Sequence, residues 1–240
     1  MFNLTKDLLE HSFKNNLSHI PSSLSMLDYV YVLFSGEFVK PYRDHIVIGK
    51  PFGAQAYYLT WKKLGYLNNI NDLSVGVKHD ELFFVDYGEE TMGNALGVSS
   101  GIALASNSKV WVNISDATLQ MGNTLEAIQF IGHNNLKNIL LTIDYNNTQV
   151  TGHVNDILTV EPTKNMFSEY GWNVEIVDGH NHTKLTDCFS NLSQEKPNVV
   201  FCNTIKGHGV SLMENSLDWH YKKIQSKEEL ESMIDALHLT

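Results

Sequence analysis

Cysteine is scarce in this sequence, basic residues are outnumbered, and long apolar runs are missing. Cys188 and Cys202 have no C-x-x-C spacing, which excludes a disulfide framework and a cysteine-based zinc or redox motif, so we expect both thiols to be reduced and buried. Lysine and arginine number 17 against 27 acidic residues, and the net charge of −10 argues against nucleic acid as the main partner. No stretch approaches the length of a membrane span, and the amino-terminal segment lacks a signal-peptide pattern. These absences predict a soluble cytoplasmic protein without a membrane partner.

A chain of 240 residues can bury one substantial core, so we predict a single domain over residues 1–240. Short, nearly continuous apolar runs, typical of parallel strands covered on both faces, occur at 110–114, 139–143, 173–177 and 199–204. Helical patterns alternate with these strands at 121–134, 161–170 and 182–193. The sequence therefore predicts an α/β fold, a doubly wound and mainly parallel sheet with helices on both faces.

The remaining segments carry weaker patterns. Helical spacing and cap residues predict helices at 4–15, 22–34 (capped by Ser22 or Ser23), 53–64, 93–105 and 227–237. The helix at 93–105 is apolar and rich in small residues, so we expect it to be buried against the sheet. Residues 44–48 are predicted to form a strand and 73–82 a loop. Ser226 and Glu229 are expected to form a capping box at the last helix.

Two oxygen-bearing side chains follow successive strands of the predicted sheet. Asp116 comes after the run KVWVNI and Asn146 after NILLTID, with an amphipathic helix between them. Parallel strands joined by a crossover helix end side by side at the carboxyl edge of the sheet, where open α/β folds bind ligands. A carboxylate and an amide oxygen suit magnesium, which shares its other positions with water and phosphate oxygens. The pair therefore predicts a diphosphate cofactor.

The segment from Ser115 to Asn147 resembles the thiamine-diphosphate motif of transketolases, which runs from G-D-G to N-N or N-G. The matching residues are Ser115-Asp116-Ala117 and Asp144-Tyr145-Asn146-Asn147, with Leu119-Gln120, Gly122 and Glu126-Ala127 in the same register. Similarity to the amino-terminal, cofactor-binding half of transketolase extends over nearly the whole chain. It includes Ser18-His19-Ile20-Pro21, Arg43 to Lys50, Met92 to Gly97, Val177 to His180, Thr204 to Asn215, and Trp219-His220.

The resemblance implies a set of cofactor and metal contacts. Asp116, Asn146 and the backbone carbonyl of Thr148 would bind Mg²⁺, and the amide of Ala117 would donate to a phosphate oxygen. The remaining contacts to thiamine diphosphate would come from Glu90, Thr91, Met92, Val150 and His220.

Histidine is the side chain best suited to proton transfer at sugar hydroxyls near neutral pH. Within the resemblance, three histidines stand where the family's catalytic histidines would be. These are His19, His79 and His220, and the match at His79 requires a gap before Gly93.

Several positions depart from the family pattern. Phe52 stands where transketolases have a histidine near the cofactor diphosphate, and Met121 replaces a glutamate of the dimer interface. Ser115 and Ala117 replace two glycines, and if position 117 required a positive φ, alanine would cost about 1 kcal/mol. These changes suggest a specialised substrate or weakened cofactor binding.

A complete transketolase also needs a pyrimidine-binding domain that carries the activating glutamate, and the chain is too short to include one. We therefore expect a split enzyme, in which this subunit joins a separate pyrimidine-domain subunit and two such pairs form an α2β2 assembly. The expected reaction transfers a two-carbon ketol unit from a ketose to an aldose. The substrates would be sugars or sugar phosphates. Two alternatives stay open: another thiamine-diphosphate enzyme, of the 2-oxoacid decarboxylase, dehydrogenase or synthase type, or a non-catalytic assembly subunit.

Overall fold

A parallel sheet forms the centre of the protein in the computed structural model, which describes residues 2–68, 76–77 and 82–237. Its strands are β1 (His45–Ile48), β2 (Tyr87–Gly88), β3 (Val110–Ser115), β4 (Ile139–Tyr145), β7 (Asn173–Asp178) and β8 (Asn198–Asn203). They are arranged in the order β2-β1-β3-β4-β8-β7, and every pair is parallel. A separate antiparallel hairpin consists of β5 (Thr148–Gln149) and β6 (Gly152–His153).

Helices cover both faces of this sheet. In chain order they are α1 (Phe2–Lys14), α2 (Ile20–Ser35), α3 (Ala54–Lys63), α4 (Ala95–Ala105), α5 (Gly122–His133), α6 (Val154–Ile157), α7 (Glu161–Glu169), α8 (His182–Ser190) and α9 (Lys227–Leu237). One apolar core lies under α1, α2, α3, α8 and α9, and a second lies under α4, α5 and α7. Alternate residues of one strand enter opposite cores, as Trp111 and Val112 do. The predicted doubly wound α/β fold is confirmed.

The strand register brings the two predicted oxygen donors to one edge of the sheet. Ser115 of β3 pairs with Asp144 of β4. Asp116 and Asn146 therefore follow directly on neighbouring strand ends, as the sequence predicts for a crossover unit. The site depends on this register, because a shift by one residue would turn the neighbouring side chains to the opposite face.

Some element boundaries differ from the prediction. Helix α2 begins two residues before the predicted Ser22, because Pro21 occupies its first turn, where proline is favoured, and His19 at φ 58° precedes it. Helix α8 ends at Ser190 rather than 193, with Asn191 after its last turn. The short strand β2 and the β5-β6 hairpin were not predicted, because two-residue strands leave no measurable period.

Other predictions are corrected by burial and hydrogen bonding. Helix α4 is buried on one face only, and its other face exposes Val98 and Leu104 together with two glycines. Cys202 is buried as predicted, but Cys188 is only partly so, and both are free thiols. At α9 the Ser226 hydroxyl accepts the Glu229 N–H, whereas the Glu229 carboxylate reaches the Gln225 N–H instead of completing the capping box.

Most of the predicted loop at 73–82 lies outside the described residues, as does His79. Among the helices of the described part, none has the length and apolar character that crossing a membrane requires.

Replacing Leu141 by alanine should lower the free energy of unfolding by about 2–5 kcal/mol, because this fully buried side chain of β4 would leave a cavity in the core. Chemical denaturation measures the loss. Leu212→Ala is the control, since this leucine is 59% exposed, and it should change stability by less than about 0.5 kcal/mol. Equal effects of the two substitutions would contradict the central position of β4.

Candidate functional site

A cavity of about 340 Å³ opens at the carboxyl edge of the sheet. It is bounded by the residues that follow β1, β3 and β4, by the start of α2, and by the turn that contains His220. The lining residues are His19, Ser22, Lys50, Pro51, Phe52, Glu90, Thr91, Met92, Ser115, Ala117, Asn146, Thr148, Gln149, Val150, His220 and Tyr221. Most of the predicted site residues therefore share one cavity.

Asp116 lies behind the cavity wall and links the two strand ends. Its carboxylate accepts the N–H of Ala117 at 2.8 Å and the N–H of Asn147 at 2.6 Å. The side chain is 1% exposed, and burial, together with the nearby charge of Asp144, raises the pKa of Asp116 to about 7. An ionised Asp116 is thus costly in this environment, and a bound cation would offset the cost.

Asn146 and Thr148 form the other side of this corner. The Asn146 side-chain oxygen accepts the N–H of Thr148 at 2.9 Å, and its Nδ2 donates to Ser25 and Asp144. Asn147 between them has φ 55°, a left-handed conformation that asparagine tolerates better than most residues. The turn therefore fixes the direction of the Asn146 amide.

Ala117 does not carry the strain considered in the sequence analysis. It lies in a 3-10 turn over Asp116–Gln120, and the left-handed residue nearby is Asn147, not Ala117. Alanine in place of the family's glycine therefore does not carry the free-energy cost of a positive φ at this position. Ala117 is buried and lines the cavity.

A buried ionic network around Asp144 lies next to the turn that contains Asn146. Asp144 at the end of β4 forms an ion pair with Lys50, which follows β1, and accepts hydrogen bonds from Ser25 and Thr204. Both charged side chains are nearly inaccessible to solvent. Because each charge is paired and hydrogen-bonded, the burial is tolerable, whereas the loss of one partner would leave an uncompensated charge.

The segment Glu90–Met92 lines another wall, and Glu89 holds it in place. The buried Glu89 carboxylate accepts the N–H groups of Gly93, Asn94 and Ala95 at 2.8–3.0 Å. Ala95 is the first residue of α4, Asn94 is its N-cap and Gly93 precedes it, so these N–H groups have no intrahelical acceptors. The Glu90–Met92 backbone is therefore fixed between β2 and α4.

Aromatic and imidazole rings form the outer wall. The ring of His19 stacks on Phe52 at 4.9 Å and meets the rings of His220 and Tyr221 edge-on, each at 5.1 Å. Phe52, the departure from the family's histidine, thus contributes an apolar face that supports His19. This wall positions two of the three predicted catalytic histidines side by side.

Neither of these histidines titrates near neutral pH in this environment. Burial, followed by the charges of Lys206 and Lys50, lowers the pKa of His19 to about 4. Burial, followed by the charges of Lys206, His19 and Lys50, lowers the pKa of His220 to about 4. Both rings are therefore neutral hydrogen-bonding groups at pH 7, first because they are buried and second because two lysines lie close by.

Sequence reasoning missed several residues of the site. Lys50 and Lys206 stand inside segments that resemble the family, but no role was assigned to them. Glu89 and Tyr221 were also missed. The available signal was position: Lys50 comes two residues after β1 and Lys206 three residues after β8, at the edge of the sheet where the ligand site was expected.

The donors at this corner fit a magnesium ion with a diphosphate. A buried carboxylate, an amide oxygen and a backbone carbonyl are the hard oxygen ligands that Mg²⁺ accepts. Burial and the charge of Asp144 raise the pKa of Asp116, so a bound cation would stabilise the ionised carboxylate. Lys50 is paired with Asp144, so the charge of Lys206 is the one that suits an anionic group on this side of the cavity. Asp116, Asn146 and Thr148 are thus able to hold the metal.

Comparisons with known proteins agree with this arrangement. Residues 98–237 match the family described as transketolase, thiamine diphosphate binding domain. The 6-deoxy-6-sulfo-D-fructose transketolase subunit SqwG of Clostridium sp. (strain MSTE9) is 27% identical over 245 residues, with 92% of this chain and 89% of that protein covered. An apulose-4-phosphate transketolase subunit of Actinobacillus succinogenes is 27% identical over 218 residues, covering 84% and 78% respectively.

Among solved structures, transketolase from Campylobacter jejuni superimposes with a TM-score of 0.71 at 18% identity. The match covers 91% of this chain but only 42% of that one. At this identity the likeness establishes the fold alone, and the chain spans less than half of that transketolase.

The rings of His19 and His220 should stay neutral down to about pH 4, because burial and the nearby lysine charges lower the pKa of each. Histidine NMR titration of the chain checks this. His133, an exposed histidine at the end of α5, serves as the internal reference. Midpoints near 6.5 for His19 and His220 would contradict the described environment.

Proposed function

The chain belongs to the family of transketolase thiamine diphosphate-binding domains. On that premise we propose that it is the cofactor-binding subunit of a transketolase. In this reaction a two-carbon ketol unit passes from a ketose to an aldose. The observation that carries the proposal is the hydrogen bond from the Asn147 N–H to Asp116, which joins the carboxylate to the Asn146–Thr148 turn at the cavity wall.

We propose that Asp116, Asn146 and the backbone carbonyl of Thr148 bind Mg²⁺. The Ala117 N–H, which donates to the Asp116 carboxylate in this structure, would donate to the diphosphate when the cofactor is bound. The buried carboxylate with a raised pKa supports this proposal, since a cation would restore its ionised form. Thiamine diphosphate, when bound, supplies a nucleophilic carbon for the ketose carbonyl and takes up the electron pair released when the carbon–carbon bond breaks.

Contacts to the rings of the cofactor are assigned to Glu90, Thr91, Met92 and Val150. Their support is that all four line the cavity, and that Glu89 fixes the first three through the start of α4. A fixed backbone orients a bound ring without a cost in ordering at the time of reaction.

His19 and His220 are assigned to the substrate, where neutral imidazoles hold and pass protons at hydroxyl and carbonyl oxygens. Their rings meet at 5.1 Å and both line the cavity, which supports a shared role. His79 stays a proposal from the sequence alone, since it lies outside the described residues.

A partner subunit is proposed to complete the active site. It would carry the pyrimidine-binding domain and the glutamate that activates the cofactor, and two pairs would form a heterotetramer. Support comes from two relatives named as transketolase subunits, which the chain covers over 89% and 78% of their length. The outer face of α4, where Val98 and Leu104 are exposed, offers apolar surface for such a contact.

The cellular setting and the extent of the domain are also proposals. We place the protein in the cytoplasm, because both cysteines are free thiols, which fits a reducing compartment.

We treat residues 1–240 as one cofactor-binding domain, supported by the six-stranded sheet that both apolar cores share.

Asp116→Ala should abolish magnesium-dependent binding of thiamine diphosphate, because the amide and carbonyl ligands that remain carry no net charge. Calorimetric titration with and without EDTA measures it. The affinity loss should exceed roughly 100-fold, the upper range for removing a group that only supports a ligand. Asp187→Ala on the exposed face of α8 is the control. Equal affinity of the two variants would contradict the metal assignment, and a wild-type chain that binds no cofactor would favour a non-catalytic role.

His220→Ala should lower the turnover of the reconstituted pair by roughly 10²-fold or more if this ring handles a proton of the substrate. The assay follows transfer from a ketose to an aldose, with a 2-oxoacid donor as the comparison. His133→Ala serves as the matched control, because this histidine is exposed at the end of α5 and is not among the residues that line the cavity. Full turnover of His220→Ala removes the residue from the mechanism, and a preference for the 2-oxoacid favours the other class of enzyme.

A further inference from the structure

A buried lysine stands behind the histidine wall. Lys206, in the loop that follows β8, is 2% exposed, and its Nζ lies 2.9 Å from Nδ1 of His220. His220 itself is partly exposed and lines the cavity. Among the residues that the structure describes, the Lys206 ammonium reaches the cavity through the imidazole of His220.

The chemistry of the two groups decides which atom donates. A lysine ammonium has three N–H donors and no lone pair, so it can only donate. Nδ1 of His220 must then accept with its lone pair, and the proton of a neutral imidazole is left on Nε2. Nε2 is the nitrogen that remains for the cavity.

The charged form of Lys206 and the neutral form of His220 coexist over a defined pH range. Burial, together with the charge of Lys50, lowers the pKa of Lys206 to about 8, while Asp144 and Asp116 oppose this shift. Burial, with the charges of Lys206, His19 and Lys50, lowers the pKa of His220 to about 4. Between these values the lysine is charged and the imidazole is neutral.

The loop that carries Lys206 is fixed by a second histidine. The N–H of Ile205 donates to Nε2 of His180 at 2.8 Å, so the proton of His180 is on Nδ1, 2.9 Å from a carboxylate oxygen of Asp28. His182 donates to the other oxygen of Asp28, and His208 stacks on His180 at 3.6 Å. Because His180 has no free lone pair in this arrangement, the group anchors a loop rather than binding a metal.

Main-chain contacts hold the same loop from two further sides. The Gly207 N–H donates to the carbonyl of Pro21, and the Asn215 N–H donates to the carbonyl of Lys206. Gly207 has φ 85°, and a side chain there would meet the Met213 backbone at 2.4 Å. Only glycine fits this position, and Lys206 is thereby aimed at His220 by a rigid support.

We propose that Lys206 is a positioning residue that holds His220 as a single neutral tautomer, protonated on Nε2, so that His220 presents a hydrogen-bond donor to oxygen atoms of a ligand in the cavity. If the ligand is a sugar, which rests on the proposed function, the Nε2–H of His220 would donate to a carbonyl or hydroxyl oxygen of that sugar. A ring held in one tautomer avoids the reorientation that a mixed population would require before each turnover.

The tautomer is measured directly by long-range proton–nitrogen NMR of the chain labelled with ¹⁵N-histidine, at pH 6–7. The expected spectrum shows a protonated Nε2 and an unprotonated, hydrogen-bonded Nδ1 for His220, assigned by its absence in His220→Ala. Raising the pH above about 8 should release the constraint, because Lys206 then loses its charge. A proton on Nδ1, or an even mixture of tautomers at pH 6–7, would overturn the proposal.

Lys206→Met removes the donor and its charge. In this variant both tautomers should become populated, and the titration midpoint of His220 should rise toward the ordinary value of about 6.5. Lys222→Met is the control: its ammonium lies 4.2 Å from the centre of the Trp219 ring, and this substitution should change neither property. An unchanged tautomer and midpoint in Lys206→Met would overturn the proposal.

If Lys206→Met fails to fold by circular dichroism, the wild-type spectrum and its pH series decide alone. These readouts are independent of the reaction. A correct tautomer in a chain without transfer activity would contradict only the proposed function, whereas the wrong tautomer in an active enzyme would contradict only the role of Lys206.

Discussion

The hydrogen bond between the Asp116 carboxylate and the Asn147 N–H is the interaction on which the site depends. It forms because β3 and β4 are adjacent and parallel, with Ser115 opposite Asp144, so that the residues after both strands meet. Each strand is buried on both faces, which leaves the register no freedom to slip without exposing apolar side chains. Core packing thus fixes the positions of the oxygen donors before any ligand binds. The conformational entropy of these residues is therefore lost during folding rather than on binding.

Charge is distributed unevenly around this hydrogen bond. Asp116 and Asp144 repel each other in a buried corner, and Lys50 is already paired with Asp144. Lys206 lies beyond them, and its charge adds to the effect of burial in lowering the pKa of His19 and of His220. The corner at Asp116 therefore favours a cation, while the lysine side of the cavity favours an anion. A metal-bound diphosphate carries both charges and would satisfy the two regions together.

Much of this could be predicted from the sequence, and the exceptions have physical reasons. The strands around Val112 and Ile143 were readable from continuous apolar runs, and Asp116 and Asn146 from their places after those strands. The stacking of Phe52 on His19 and the contact of Lys206 with His220 could not be predicted, because both depend on how loops fold against one another and leave no local pattern in the sequence. Burial of a lysine likewise depends on tertiary contacts, so the low pKa of both histidines follows from the fold rather than from local sequence.

The central claim is that Asp116, Asn146 and Thr148 together hold a metal ion and, through it, a diphosphate. A crystal structure of the chain with thiamine diphosphate and Mn²⁺ in place of Mg²⁺ tests this most directly, since anomalous scattering locates the manganese. The account predicts an anomalous peak in contact with Asp116, Asn146 and the Thr148 carbonyl, with diphosphate oxygens completing the coordination. A metal bound elsewhere, or a cofactor in the cavity whose diphosphate lies away from these residues, would contradict it.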